Sequence, residues 1–128
     1  MDDQFKKNGT SSWCELMTTD VEKAKAFYTE LFGWDAEDIS MPGMPYTLVK
    51  AGGKGIGGIM PIPKDAQSMP PMWGAYVTVD DVDAIARTAE KLGAKLLVKP
   101  RNIPGVGRFC VIQDQQGAAI NAITYKKT

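Results

Sequence analysis

Two stretches of the sequence carry the same pattern: WCELMTTDVEKAKAFYTELFG at residues 13–33 and WGAYVTVDDVDAIARTAEKLG at residues 73–93. Aligning them by their identities places Trp13 on Trp73, Asp20 on Asp80 and Gly33 on Gly93. Each copy is typical of a strand, an acidic N-cap, an amphipathic helix and a glycine stop. Because two copies are too few for a solenoid, the duplication predicts a single domain with internal pseudo-symmetry.

The chain around these two stretches predicts further strands. In the first copy, a strand at 13–18 and a helix at 21–32 precede an irregular segment at 34–45, strands at 46–50 and 55–61, and a glycine turn between them at 51–54. In the second copy, a strand at 73–79 and a helix at 82–92 precede a strand at 95–98, a Pro/Gly loop at 100–107, and a hairpin of 108–113 with 118–125. Asp80 or Asp81 caps the second helix. The element order is βαβββ, or βαββ in its shorter version, in each copy.

These elements predict an α+β fold of two modules in which each sheet covers one face with its helix. Module one spans about 10–62, a linker about 63–72, and module two about 73–126 of one domain over 1–128. Side chains alternate along a strand, so Leu16 is expected to face the first helix, and Trp13, Glu15 and Met17 to face away.

The alignment of the two first strands leaves one ambiguity. The identities place Leu16 on Tyr76, whereas the apolar alternation of the second strand places Leu16 on Val77, one position further along. Both alignments stay open, although a slip of a single position reverses the direction of every side chain.

Composition excludes several kinds of chemistry and of partner. The chain has no histidine, which rules out a Ser-His-Asp triad or an imidazole-bound metal built from this chain alone. Fifteen basic and fifteen acidic residues balance, so no electrostatic case arises for nucleic acid or an acidic membrane surface as partner. With no signal-like or membrane-spanning apolar run, a cytoplasmic protein is expected. Cys14 and Cys110 are interpreted as buried free thiols.

Four segments resemble the vicinal oxygen chelate superfamily, also called the glyoxalase/bleomycin-resistance/dioxygenase family. They are WCELMTTDVEKAKAFYTELFGW (13–34), GIGGIMP (55–61), WGAYVTVDDVDAIARTAEKLGA (73–94) and GRFCVIQDQQGAAINAI (107–123). The resemblance implies paired βαβββ modules whose sheets curl around a cleft, and a homodimer. It also implies a divalent metal held by His and Glu side chains that line the cleft.

The positions that match the family's metal ligands carry other residues. They fall on Trp13, on Ile59 or Met60, on Gly74 and on Asn121. None of these is a histidine or a carboxylate, and asparagine is a weak neutral ligand. We therefore expect no metal bound in the family's manner and no cofactor.

Glu15 is the acidic residue expected inside the cleft. Desolvation among Trp13, Met17 and Tyr76 would raise the pKa of its carboxyl, so that it could act as a general base, or it could hold a cationic ligand. The structural alternative is that it bonds to backbone or pairs with Arg108. Arg108 could itself bind a ligand carboxylate or phosphate, or serve only as a structural partner.

An aromatic and thioether lining is predicted beside Glu15, with core or dimer interface as the alternative. Its members are Trp13, Trp73, Tyr46, Tyr76, Met44 and Met60. Met17 and Asn121 are also predicted to bind the ligand. The glycines at 51–58 do not form a phosphate-binding motif and indicate a turn and close backbone approach.

Three functions fit these residues. The first is a metal-free protein that binds a small organic molecule. The second is a lyase, isomerase or dioxygenase with an atypical site that uses Glu15. The third is a non-catalytic interaction module whose groove is filled.

Overall fold

The computed structural model describes residues 3–39, 45–64 and 69–126. After a single 3₁₀ turn at Asp3–Lys6, the elements are β1 Ser11–Thr18, α1 Val21–Phe32, β2 Asp35–Asp38, β3 Thr47–Ala51, β4 Lys54–Pro61, β5 Met72–Thr78, α2 Val82–Lys91, β6 Lys95–Ile103, β7 Gly107–Gln113 and β8 Ala119–Tyr125. This order is βαβββ twice, which confirms the predicted α+β fold and its repeat. Within these residues no helix is long and apolar enough to cross a bilayer.

The first compact unit contains residues 13–74. Its strands lie in the order β2-β3-β4-β1, with β1 parallel to β4 and the other pairs antiparallel. Leu16, Val49 and Ile59 form its buried core, and α1 packs on them through Val21, Ala24 and Tyr28. Leu16 therefore faces the helix, as the alternation in β1 predicts.

The second compact unit combines residues 3–12 with 75–126. Its strands lie in the order β5-β8-β7-β6, with β5 parallel to β8. Its core consists of Val79, Val82, Ala86, Cys110 and Ala122. Val82 and Ala86 are the residues that α2 contributes.

The helix ends follow the sequence signals. The Asp20 side chain accepts a hydrogen bond from the Lys23 N–H at 3.0 Å, and Gly33 ends α1 at a φ of 70°, in the left-handed region that glycine tolerates. Of the two candidate caps of α2, Asp81 is the N-cap, since it accepts from the Asp83 and Ala84 N–H groups.

Two segments are more regular than the sequence pattern predicts. Within 34–45, residues Asp35–Asp38 form β2 at the edge of the first unit's sheet, where an acidic strand is tolerated and Glu37 forms an ion pair with Lys50 at 2.6 Å. In the predicted loop 100–107, β6 continues to Ile103. It accommodates Pro100 because it is the last strand of its unit's sheet and carries two register shifts, so the missing N–H interrupts no central ladder.

The two cysteines differ in exposure. Cys110 is fully buried in the second unit's core, and both thiols are free. Cys14 is exposed, so its assignment as a buried thiol is wrong. Its partner across β1 and β4 is Gly57, which has no side chain to cover the thiol.

Candidate functional site

A hydrogen-bond chain joins three predicted site residues in the first unit. The Trp13 indole N–H donates to the Tyr46 hydroxyl oxygen at 3.0 Å, and the Tyr46 hydroxyl donates to Glu15 Oε2 at 2.8 Å. Both bonds run toward the carboxylate. The two bonds hold the Glu15 carboxylate in one orientation, with Tyr46 as its donor.

Strand pairing explains how these residues meet. Glu15 of β1 lies opposite Gly58 of β4, and Leu48 of β3 lies opposite Gly58 on its other side. Tyr46 immediately precedes β3 and crosses over Gly58, where a Cβ atom would overlap the tyrosine ring and hydroxyl. The tyrosine therefore reaches Glu15 across a strand position that has no side chain. Close backbone approach, predicted for these glycines, is also confirmed at Gly57, where a Cβ would overlap the Cys14 carbonyl oxygen.

The face around this chain is apolar and partly open. Met17 and Met60 are direct partners in the β1–β4 ladder, and like Trp13 and Tyr46 they are half-buried. Glu15 is 8% exposed. One largely buried acceptor thus lies among ring and thioether groups on the sheet face opposite α1.

Trp73 is not part of this lining. Its indole N–H donates to the Tyr28 hydroxyl at 3.1 Å, and its ring packs on Trp34 and the Leu16 core, on the helix side of the sheet. Trp13 and Trp73 therefore occupy opposite faces of their strands. The alignment that follows apolar alternation is the structural one, and the one that follows the tryptophan identity is wrong. Met44, the other proposed lining residue in this part of the chain, lies outside the described residues.

In the second unit, Tyr76 and Asn121 are brought together and Arg108 is placed elsewhere. Tyr76 of β5 and Asn121 of β8 are direct partners, so they share a sheet face, and Tyr76 is buried. Arg108 lies two positions before Cys110 in β7, so both side chains are on the other face of the sheet, where α2 packs. Its Nε and Nη2 donate to the two carboxylate oxygens of Asp83 at 2.9 and 3.0 Å, and its Nη1 donates to Asn102.

These two hydrogen bonds correspond to the structural alternative for Arg108, in which the arginine pairs with another residue of the chain. That residue is Asp83. The hydrogen bond from Arg108 holds the pKa of the Asp83 carboxyl below its ordinary value, and the same bond raises the pKa of Arg108. The sequence around Asp83 does not indicate this contact, because β7 and α2 come together only in the tertiary structure.

The residues at the family's metal positions do not fit a divalent cation. The Trp13 N–H is a donor already directed at Tyr46, and Ile59 is a core side chain. Across 3–39, 45–64 and 69–126, no three His, Cys, Asp or Glu side chains gather as a ligand set.

The sequence pattern does not predict a concavity that the first unit contains. A pocket of about 360 Å³ lies on the helix side, between α1 and residues 71–73, lined by Phe27, Tyr28, Met72 and Trp73 with Lys23 at its edge. The adjacent aromatic residues Phe27 and Tyr28 in α1 could have indicated this pocket. The helical pattern instead predicts that the apolar face of α1 packs against the sheet.

A family model described as the Glyoxalase/Bleomycin resistance protein/Dioxygenase superfamily matches residues 10–122. The chain belongs to this superfamily. That assignment agrees with the βαβββ repeat and with the resemblance seen in the sequence.

Two curated proteins are similar to most of this chain. The Mycobacterium bovis protein named "Putative glyoxylase CFP32" is 38% identical over 117 residues, which cover 89% of this chain and 45% of that protein. The Streptomyces peucetius "Anthracycline biosynthesis protein DnrV" is 33% identical over 124 residues, or 87% of this chain and 45% of that protein. The chain thus spans about half the length of these relatives.

Solved structures share the glyoxalase fold at low identity. Methylmalonyl-CoA epimerase from Mycobacterium tuberculosis has a TM-score of 0.67 and 17% identity, covering 93% of this chain and 90% of its own. Hypothetical protein BH1468 from Bacillus halodurans has a TM-score of 0.72 and 10% identity, covering 95% and 98%. At these identities the likeness shows the fold alone.

Proposed function

We propose that this glyoxalase-family chain binds a small organic molecule on the sheet face that carries Trp13, Glu15 and Tyr46, without a divalent metal. The observation that supports it most is the Trp13–Tyr46–Glu15 hydrogen-bond chain, since it fixes one oriented carboxylate among half-buried aromatic and thioether groups. Ligand sites typically combine an apolar lining with a few fixed polar groups. The absence of histidine and the residues at the family's ligand positions support binding without metal.

Amide NMR with a fragment library tests this proposal. The three tryptophan indole N–H signals are assigned with Trp→Phe variants, and planar fragments are added singly in large excess. We expect binding fragments to shift the Trp13 indole signal and to leave the Trp73 signal, on the helix side, unmoved. The proposal fails if no fragment moves the Trp13 signal, or if a stoichiometric transition metal copurifies with the chain.

A second candidate function is catalysis with Glu15 as general base. Tyr46 favours this role because it fixes the carboxylate by a hydrogen bond of 2.8 Å, and general bases need a fixed position. The test is transfer of deuterium from D₂O to an activated C–H of a bound fragment, monitored by proton NMR. Exchange that disappears in Glu15→Gln supports catalysis, and equal exchange in both proteins contradicts it.

We also propose a homodimer in the cytoplasm. Phe27, Leu31 and Phe32 of α1 are each more than half exposed. Together they give the outer surface of this helix an apolar patch, and such patches mark interaction sites. The curated relatives are about twice as long as this chain, so each has room for two units of this size. A dimer of this chain would have the same number of units. Light scattering after size exclusion tests the dimer: a Leu31→Lys variant that becomes monomeric supports it, and a monomeric wild-type chain contradicts it.

A further inference from the structure

The donor hydrogens of the Trp13–Tyr46–Glu15 chain are consumed within it. An indole has one N–H and a phenol one O–H. The first is donated to Tyr46 and the second to Glu15. The three side chains can therefore offer a ligand acceptor atoms but no hydrogen. A carboxylate has about four acceptor positions, so Glu15 can accept from a ligand in addition to its existing partners.

The surroundings favour a positive charge on that ligand. The Glu15 carboxylate accepts the Tyr46 hydrogen bond and is largely buried, where charge interactions are screened less than in open solvent. The half-buried ring systems of Trp13 and Tyr46 adjoin it, and aromatic faces attract cations. The sulfur atoms of Met17 and Met60, which are partners in the ladder, suit contact with a flat ring.

We infer that this face selects planar aromatic ligands that carry a protonated amine, over neutral or anionic ligands with the same ring. The inference rests on the proposed function and adds the charge class of the ligand.

Three matched probes test it by titration against the wild-type chain: 2-(aminomethyl)naphthalene, 2-naphthalenemethanol and 2-naphthoate. We expect the amine to bind about tenfold tighter than the alcohol, because both can donate to the carboxylate but only the ammonium adds a charge–charge attraction and a cation–π contact. The carboxylate is expected to bind weakest. If the alcohol or the carboxylate binds as tightly as the amine, the inference is overturned while the proposed function stands. If none of the three binds, both are overturned.

Variants locate the selectivity. Glu15→Gln keeps the shape and removes the charge, so the amine should lose its advantage over the alcohol. Tyr28→Phe is the matched control, because it removes the other Trp–Tyr hydrogen bond, on the helix side, and should leave the ratio unchanged. Should Glu15→Gln not fold, Tyr46→Phe serves instead. It frees the Trp13 N–H as a donor and should narrow the preference for amine over carboxylate at least threefold; an unchanged ratio there contradicts the inference.

Discussion

The phenol of Tyr46 occupies the space that a side chain on Gly58 would require. Because Gly58 lies between Glu15 and Leu48 in the β1–β4–β3 ladder, this empty position lets the tyrosine reach the carboxylate of a strand that is not its neighbour. The contact between Tyr46 and Glu15 thus depends on a residue that takes no part in the hydrogen bonds.

Gly58→Ala should therefore break the chain without altering any of its functional groups. We expect a loss of about 1–3 kcal/mol in the free energy of unfolding, typical of overpacking, and a shift of the Trp13 indole N–H signal as its acceptor moves. Urea denaturation and NMR measure the two effects.

Gly55→Ala is the matched control for that change. Its Cβ would lie 3.2 Å from a Leu48 methyl group, and a flexible side chain can yield. A loss of stability at Gly55 equal to that at Gly58, or an unmoved Trp13 signal in Gly58→Ala, would contradict the role given to Gly58.

The neighbouring aspartates Asp80 and Asp81 should differ in their contribution to stability. Asp81→Ala removes the acceptor of the Asp83 and Ala84 N–H groups and should cost about 1 kcal/mol, as N-cap losses do. Asp80 contributes its backbone N–H, which donates to Asn8, so Asp80→Ala should cost less than about 0.5 kcal/mol, as surface substitutions do. Equal costs in urea denaturation would mean that the cap is misassigned.

The Asp83–Arg108 contact should make stability depend on pH at the acidic end. The pKa of Asp83 is lowered in the folded chain, so its contribution is present above the ordinary carboxyl value of about 3.9 and is lost as pH falls through the folded value. The stability advantage of wild type over Asp83→Asn should shrink with falling pH. A pH-independent difference in urea midpoint between pH 7 and pH 3 would refute this linkage.

The two thiols should react with a disulfide reagent at separate rates. Cys14 is exposed and should be modified in the native state, whereas Cys110 should react only on unfolding. Desolvation, and then the Glu15 charge, raise the pKa of the Cys14 thiol above its ordinary value. Because the thiolate is the reactive form, its rate should rise at higher pH than that of a free cysteine. Cys14→Ser should abolish the native-state reaction; if that reaction persists, Cys110 is the accessible thiol.

The sequence alone determined the twofold repeat of strand, capped helix and further strands, both ends of α1, and the placement of Trp13 and Glu15 away from α1. Those features follow from periodicity, caps and glycines, which act over short stretches of chain. Acidic β2 and the proline-containing end of β6 were not predictable in this way, since only their position at a sheet edge makes them acceptable as strands.

Tertiary structure decided which side chains share a face and which partner each one meets. In the structural alignment of the two copies, Leu16 corresponds to Val77 rather than to Tyr76, and Trp73 therefore lies on the helix side. The tertiary structure also pairs Arg108 with Asp83. It also brings Tyr46 over Gly58. Each of these depends on the pairing of strands distant in sequence, and because side chains alternate along a strand, the smallest slip in that pairing moves a residue to the opposite face.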